Sequence, residues 1–394
     1  MTRKVLAVTG TRAEYGAMRP VYAAVAAAPD LELDLVVTGM HLAPQFRASL
    51  EEVEGDRYGR LHYVTVSDTA VSGAAMARGL GEAVVAMAGV IEQVRPQVVL
   101  LQGDRGEMPA AAIAAAHQNV AIVHMSGGDA TGSIDEPIRN AISCFAHVHL
   151  TTCAQSGARL LARGESAARV IEVGEPALDV ILSLQPVPPE EIALELGLDL
   201  ARPIVLGTQH PVTTEAADAA RQMTETLSAL SALGMQTVFT YPNTDAGGAE
   251  MVRVLESWAG QPFLRVVPHL GSRKYLSLMR IAAAMVGNSS SGILEAASFR
   301  LPVVNVGTRQ HGRTRACNVV DVGYDRGAIV KAVRYALSDA GFRAALADCA
   351  NPYGDGRAAQ RTLDVLRGLR LTPALLAKWL PAGEPLLDQP PLPK

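Results

Sequence analysis

VLAVTGTRAEYG, residues Val5–Gly16, runs a short apolar stretch straight into a polar glycine turn, and IVLGTQHPVTTE, residues Ile204–Glu215, does the same in the second half of the chain. A strand buried on both faces reads as a continuous apolar run, and the turn after it opens a helix whose first backbone N–H groups suit an anion. Outward from Val5–Gly16, apolar runs recur at Leu33–Val37, Val98–Leu101, Ala121–His124 and Val148–Thr151, separated by Ala-rich amphipathic stretches such as Met18–Ala28 and Met108–His117. Outward from Ile204–Glu215 the runs are Gln236–Thr240, Leu264–Val267, Ala284–Val286 and Val303–Val306, with helices expected over Thr213–Leu233, Tyr275–Arg280 and Gly292–Phe299. Strands alternating with helices specify parallel sheets. The expected fold class is therefore α/β, with two Rossmann-like doubly wound domains and a central cleft.

The separator QPVPPEE, Gln185–Glu191, carries prolines that disfavour helix and strand interiors. It divides an N-terminal domain, 1–184, from a C-terminal domain, 185–355. An amphipathic helix is expected over 356–371, after the turn NPYG at Asn351–Gly354, and the Pro- and Leu-rich tail 372–394 reads as a peripheral arm. A chain of 394 residues exceeds what one core usually serves, which agrees with two domains. With 49% hydrophobic and 19% charged residues it is globular.

The formal net charge of −4 supplies no basic field for nucleic acid or an anionic membrane. Cys144, Cys153, Cys317 and Cys349 are scattered without metal-ligand or disulfide-framework spacing, which suits a reducing compartment, the cytoplasm. The segments Gly73–Val94 and Pro109–Val123 are apolar but interrupted, by Arg78, Glu82 and Glu92 and by His117, Gln118 and Asn119, and neither is read as a membrane span. MTRKVLAVTG reads as a buried strand rather than a signal peptide.

TGTRAEYG is neither a Walker A loop nor the Gly-x-Gly-x-x-Gly dinucleotide fingerprint, so nucleotide hydrolysis and NAD use lose their main support. Arg12 could fork onto a phosphate or form a surface salt bridge. LLQGDRGEM sets Asp104 and Arg105 just past a strand, where a carboxylate beside a cation can serve as base or simply cap the turn. HMSGGDATGSIDEPIRNAI concentrates His124, Ser126, Gly127, Gly128, Asp129, Asp135, Glu136 and Arg139. The paired glycines permit close backbone approach, Asp135 or Glu136 could cap the following helix, and no ligand pair at helical spacing supports a metal. His210 follows its strand in GTQHP, and an ordinary pKa of about 6.5 would let it pass a proton near neutrality. In GNSSSGILEAASF, Ser289, Ser290, Ser291 and Gly292 precede an apolar helix and offer hydroxyl and N–H donors to a phosphate, while Glu295 could accept from ribose hydroxyls or lie on the helix surface.

Seven blocks in order, TGTRAEYG, GDR, GSIDEPIRNAI, YPNTDAGG (Tyr241–Gly248), GNSSSGILEA, GTRQHGR (Gly307–Arg313) and NPYGDG (Asn351–Gly356), resemble the UDP-N-acetylglucosamine 2-epimerases, and within them the hydrolysing branch that forms N-acetylmannosamine. The resemblance covers nearly the whole chain. It implies a GT-B-like fold whose last helix crosses back onto the first domain, a UDP-sugar substrate, no cofactor, and a homodimer, with a tetramer as the alternative. It also implies that a base removes the proton on carbon 2 while UDP departs from carbon 1, leaving an enzyme-bound 2-acetamidoglucal. Water then gives free N-acetylmannosamine, the expected outcome; return of UDP, the alternative, gives UDP-N-acetylmannosamine. A GT-B glycosyltransferase or a silent sugar-nucleotide sensor would share the UDP cradle, and the acidic cluster weighs against both.

Carried over by position, Asp104, Asp135 and His210 match catalytic residues of the family, and Arg12, Arg105, Asn243, Ser289, Ser290 and Glu295 match nucleotide contacts. Ser291 and Gly292 complete the serine turn, His124, Ser126 and Asp129 fall on the sugar side, and Arg309 and Arg313 either help the departing diphosphate or form structural ion pairs. One position departs: several members carry Glu where this chain has Ser126. Serine cannot act as a carboxylate base, so either Asp129 or His124 takes over that work or the chemistry or substrate is altered.

Overall fold

Val5, Leu6 and Ala7 of the first strand are fully buried, as a strand covered on both faces requires. The computed structural model describes residues 2–43, 47–66, 73–130, 135–243, 245–378 and 385–388. It divides into two units, Met1–Asp129 with Ile134–Leu182 and Tyr353–Lys394, and Ala130–Ser133 with Ser183–Pro352. The first unit holds β1 (Arg3–Thr9), β2 (Leu31–Thr38), β3 (Arg60–Val64), β4 (Val98–Gln102), β5 (Ala121–Met125), β6 (Val148–Thr151) and β7 (Val170–Glu172). The second holds β8 (Ile204–Thr208), β9 (Gln236–Thr240), β10 (Leu264–Val267), β11 (Ala284–Gly287), β12 (Val303–Val306) and β13 (Val319–Val322).

Both sheets are parallel and share one winding. The first runs β3-β2-β1-β4-β5-β6-β7 and the second β10-β9-β8-β11-β12-β13. In each, the chain builds outward from its first strand, then returns to add strands on the other side, with Ala7 opposite Leu100 and Gly207 opposite Val286 at the point of reversal. Ligands of such sheets bind at that reversal, beyond the carboxyl ends of the strands. The fold class is thus two doubly wound α/β units.

In the first unit the helix Arg12–Ala27 begins with a capping box, Thr11 and Glu14 satisfying each other's backbone N–H, and buries Tyr15, Met18, Val21, Tyr22 and Val25 in the core. The helix Ala358–Gly368 adds Leu363, Val365 and Leu366 to the same core. On the other face, Ala110, Ala111, Ala114 and Ala115 of the helix Glu107–His117 share a core with Ala83, Met87 and Ile91 of the helix Gly73–Val94. Over Ala74–Val94 that second helix is long and apolar enough to cross a membrane by length and composition, yet it presents this buried face to its own unit.

The structure corrects several expectations. The tail does not read as a peripheral arm over its described residues: Leu375 and Leu386 lie in the first core, and Arg169 donates from Nη1 to the carbonyls of His147 and Leu375. A prolyl composition hid leucines whose burial is each worth about 1.5–3 kcal/mol. The separator prolines start a helix instead of preventing one, because Pro189 stands at the first helical position of Pro189–Leu196, where its missing N–H costs nothing. The stretch Thr213–Leu233 is not one helix: Thr213–Asp218 is 3-10, with Glu215 off helical geometry at φ −122°, before the helix Ala219–Leu233. The Glu215 carboxylate accepts from Thr308, Tyr324 and Gln222, which hold it there. Gly292–Phe299 likewise splits into the short helix Ser291–Leu294 and a 3-10 turn, Ala296–Phe299. Finally, Cys317 and Cys349 are bonded to each other, Cα atoms 5.8 Å apart, while Cys144 and Cys153 are free thiols. Their separation of 32 residues carries no framework signal.

Candidate functional site

At the reversal of the first sheet, the turns after β1 and β4 stand side by side. The turn after β1 is less open to an anion than its sequence suggests, since Gly10 and Thr11 both donate their N–H to Glu14 Oε2 at 3.1 Å. Burial, reinforced by the neighbouring Glu107, pushes the Glu14 carboxyl up to about 7. Arg12 is half-exposed with Nε 3.8 Å from Glu52, the salt-bridge geometry weighed for it.

After β4, Gly103 turns the chain at φ +71°, and the Asp104 carboxylate pairs with the guanidinium of Arg139, both side chains largely enclosed. Arg139 belongs to the helix Asp135–Phe145 and also donates from Nη1 to the Asp129 carbonyl at 2.8 Å. His124 braces the same turn from β5. A carbonyl only accepts, so His124 Nε2 carries the hydrogen and donates to Gly103 O at 2.8 Å, leaving Nδ1 to accept from Ser143 Oγ at 3.1 Å. Burial lowers this imidazole to about 4. Arg105 is exposed.

Ser126 adopts the left-handed region, φ +65°, and its N–H donates to Leu150 O at 2.9 Å. Gly128, at φ +77°, has no room for a side chain, because a Cβ there would lie 2.2 Å from Ser156 O. Asp129 Oδ1 accepts from Thr152 Oγ1 at 2.7 Å and Ser156 Oγ at 2.6 Å. His124 and Asp129, the two residues considered as substitutes for the carboxylate that Ser126 lacks, are thereby both committed to bonds within the unit. The Asp135 side chain lies outside the described residues, although its helix begins at that residue.

The reversal of the second sheet gathers the turns after β8 and β11. Gly287 lets them meet at φ +132°, where a Cβ would fall 2.0 Å from Thr208 O. Asn288 clamps His210 by its backbone, accepting the His210 N–H at 2.6 Å and donating to the His210 carbonyl at 2.9 Å. His210 Nδ1 accepts from the Asn243 N–H at 2.9 Å. Burial first, then the Arg309 cation, lowers this imidazole to about 3. His210 is therefore neutral at pH 7 with its hydrogen on Nε2, a donor and not the near-neutral proton exchanger that its residue type suggests.

Around it, Arg309 and Gln310 donate to the Asn288 carbonyl at 3.2 and 2.8 Å, and Asn243 Nδ2 donates to Asp245 at 2.5 Å. Asn243 Oδ1 and Arg313 Nη1 are buried without a hydrogen-bond partner among the described residues. Ser289 and Ser291 share a 2.7 Å hydrogen bond, Ser290 precedes the helix Ser291–Leu294, and Gly292 keeps that helix against Val303. Glu295 is pushed up to about 7 by burial.

In each unit the turns that carry the described sequence-predicted residues lie at the carboxyl ends of the strands; the Asp135 side chain is not among those described. Sequence reasoning gave no role to Arg139, Asn288, Gln310 or Tyr275. Arg139 and Asn288 stood inside conspicuous blocks, but their partners are distant in the chain.

Comparison with known proteins agrees with the motifs. The family model for UDP-N-acetylglucosamine 2-epimerase matches residues 23–367. A Legionella pneumophila protein named UDP-N,N'-diacetylbacillosamine 2-epimerase (hydrolyzing) is 36% identical over 378 residues, 96% of this chain and 99% of its own. A Neisseria meningitidis UDP-N-acetylglucosamine 2-epimerase is 32% identical over 342 residues, 87% of this chain and 89% of its own. Among solved structures, UDP-GlcNAc 2-epimerase from Neisseria meningitidis bound to UDP-GlcNAc superposes with a TM-score of 0.80 at 19% identity, covering 92% of this chain and 99% of that one. By motif order, fold and sequence match, this chain belongs to the UDP-N-acetylglucosamine 2-epimerase family.

Proposed function

We propose that the enzyme is a hydrolysing 2-epimerase of a UDP-linked 2-acetamido sugar, releasing UDP and a free sugar of manno configuration, with UDP-N-acetylglucosamine as the substrate read from the motifs. The carrying observation is the Asp104–Arg139 pair beyond β4: the guanidinium holds the carboxylate ionised at the strand ends, the form that can take the carbon 2 proton, a group that a sensor or a glycosyltransferase leaving carbon 2 untouched does not need. Asp104 and Asp135 shuttle protons at carbon 2. As the C1–O bond breaks, neutral His210 donates from Nε2 to the departing diphosphate, helped by Arg12 and Arg105 and by Arg309 and Arg313. Asn243, Ser289, Ser290, Ser291, Gly292 and Glu295 hold the nucleotide, and His124, Ser126 and Asp129 shape the sugar side. Water adds to the 2-acetamidoglucal at carbon 1, and carbon 2 regains a proton on the opposite face.

The 36% identity to the Legionella protein over nearly the full length of both chains favours a second substrate reading, UDP-N,N'-diacetylbacillosamine. One experiment separates the readings: NMR time courses in deuterated water with each UDP-sugar. The preferred substrate gives UDP and a free manno sugar deuterated at carbon 2. Formation of UDP-N-acetylmannosamine alone supports the non-hydrolysing alternative, an undeuterated carbon 2 a transferase, and binding without turnover a sensor.

The cytoplasm, with no nucleic-acid or membrane partner, completes the proposal, as does a homodimer through the first unit. The helix Gly73–Val94 supports the latter: Val85 is 75% exposed, and Gly81 and Gly89, four residues to either side, have open space where a side chain would begin. Light scattering at twice the chain mass of 41.5 kDa is expected, and the monomer mass would exclude it.

A further inference from the structure

Beneath the serine turn of the second unit lies a chain of hydroxyls that the proposed chemistry does not use. Tyr275 Oη is 3.0 Å from Ser291 Oγ and 3.5 Å from Thr208 Oγ1; Ser291 Oγ is 2.7 Å from Ser289 Oγ; Thr208 Oγ1 is 2.6 Å from Thr240 Oγ1. Each hydroxyl has one hydrogen to give, so their directions follow by counting. Thr208 donates to the Gly207 carbonyl at 2.8 Å, which can only accept, and Thr208 is therefore an acceptor toward Thr240 and Tyr275. Thr240 fills the shorter of those contacts. Tyr275 then directs its hydrogen to Ser291 at 3.0 Å in preference to Thr208 at the outer limit of bonding. Ser291, accepting from Tyr275, donates to Ser289. The Ser291 N–H also points to Ser289 Oγ, at 3.4 Å. Ser289 accepts from both, and its own hydrogen has the Tyr275 oxygen nearby, beyond the bonded contacts above, as the partner that an incoming anion would replace.

We infer that Tyr275 is a positioning residue: its hydroxyl polarises the chain Tyr275→Ser291→Ser289 so that Ser289 is held as a donor to a phosphate oxygen of the bound nucleotide. The inference rests on the proposed seating of UDP at this turn. Its physical basis is that hydrogen bonds in series polarise one another, and that a donor already oriented in the free protein spends no free energy on reorganising when the anion arrives. Burial raises the Tyr275 phenol above its ordinary value, which keeps it a donor throughout the neutral range. Without that hydroxyl, Ser289 and Ser291 can reverse, and Ser289 then gives its hydrogen to its neighbour.

The test compares UDP with uridine, which lacks the phosphates, on the full-length protein by calorimetry and ligand-observed NMR. Tyr275→Phe keeps the ring and removes only the hydroxyl; we expect the Kd for UDP to rise roughly five- to tenfold, the scale of one net hydrogen bond, with uridine binding unchanged. Ser291→Ala severs the chain one link later and serves if the first variant folds poorly; it should show the same selectivity. The double variant should lose no more than either single one. An unchanged Kd for UDP in Tyr275→Phe, or equal weakening of UDP and uridine, overturns the inference. Wild-type protein that binds no UDP overturns the nucleotide reading beneath it, and a wild type that binds UDP separates the two.

Discussion

The two units wind their sheets in the same order and reverse at the corresponding strand pair, yet they furnish that reversal differently. The first places charge there: the Asp104 carboxylate against the Arg139 guanidinium, and Glu14 buried over the neighbouring turn. The second sets neutral dipoles beside the Arg309 cation: His210 lowered to about 3, the amides of Asn288 and Asn243, and the hydroxyls of Ser289, Ser291 and Tyr275. The frame decides where a site forms, and the side chains at the strand ends decide what it does. Moving a proton requires a group that changes charge, whereas holding an anion requires donors that stay oriented and unchanged.

The largest break in that comparison should come from Asp104→Asn. A lost proton acceptor is expected to lower kcat by roughly 10²- to 10⁴-fold with UDP affinity retained. A variant that keeps its turnover, or that loses UDP instead, places the chemistry elsewhere. Arg139→Met strips Asp104 of its partner in a nearly buried site and should cost about 3–5 kcal/mol in urea unfolding, since an uncompensated charge remains. Loss below 1 kcal/mol would show that solvent reaches the carboxylate. His210→Asn removes a neutral donor, and kcat should fall about 10²- to 10³-fold. Because the wild-type imidazole is uncharged down to about pH 3, kcat should show no limb near pH 6.5 that vanishes in this variant; finding one contradicts the assigned donor role.

A smaller contrast concerns acid. In the first unit His41, His124 and His147 are each lowered by burial to about 4, against Glu14 raised to about 7; in the second, His210 at about 3 stands against Glu295 at about 7. A histidine lowered in the folded state binds its proton more readily when unfolded, so its contribution to stability is complete above about 6.5 and is lost as pH falls toward 4. A raised carboxyl acts in the opposite sense, holding an extra proton in the folded state between about 4.5 and 7. The histidines outweigh the carboxyl in the first unit and are offset in the second. Hydrogen exchange should show the first unit loosening before the second between pH 6.5 and 5, and the reverse order would contradict the balance.

The amino-acid sequence by itself determined the strands covered on both faces and the chemistry of the turns. Gln236–Thr240 and Val303–Val306 are read to the residue, because burial along the whole strand leaves mostly apolar or small polar residues there, and Leu264–Val267 is read although it lies at a sheet edge. The strands it left unread, β3, β7 and β13, take the other three sheet edges and are only partly buried, so their apolar signal is weak. Glycine, serine and histidine announce a turn from its own few residues, and the motifs were visible for that reason. Only the tertiary structure decided which turns stand together, that Arg139 rather than a sequence neighbour holds Asp104, that Glu14 takes the N–H groups offered after β1, that His210 is neutral, and that Cys317 meets Cys349. Each is a contact or a desolvation set by elements far apart in the chain. Local pattern encodes the element; packing between distant elements sets partners, burial and protonation.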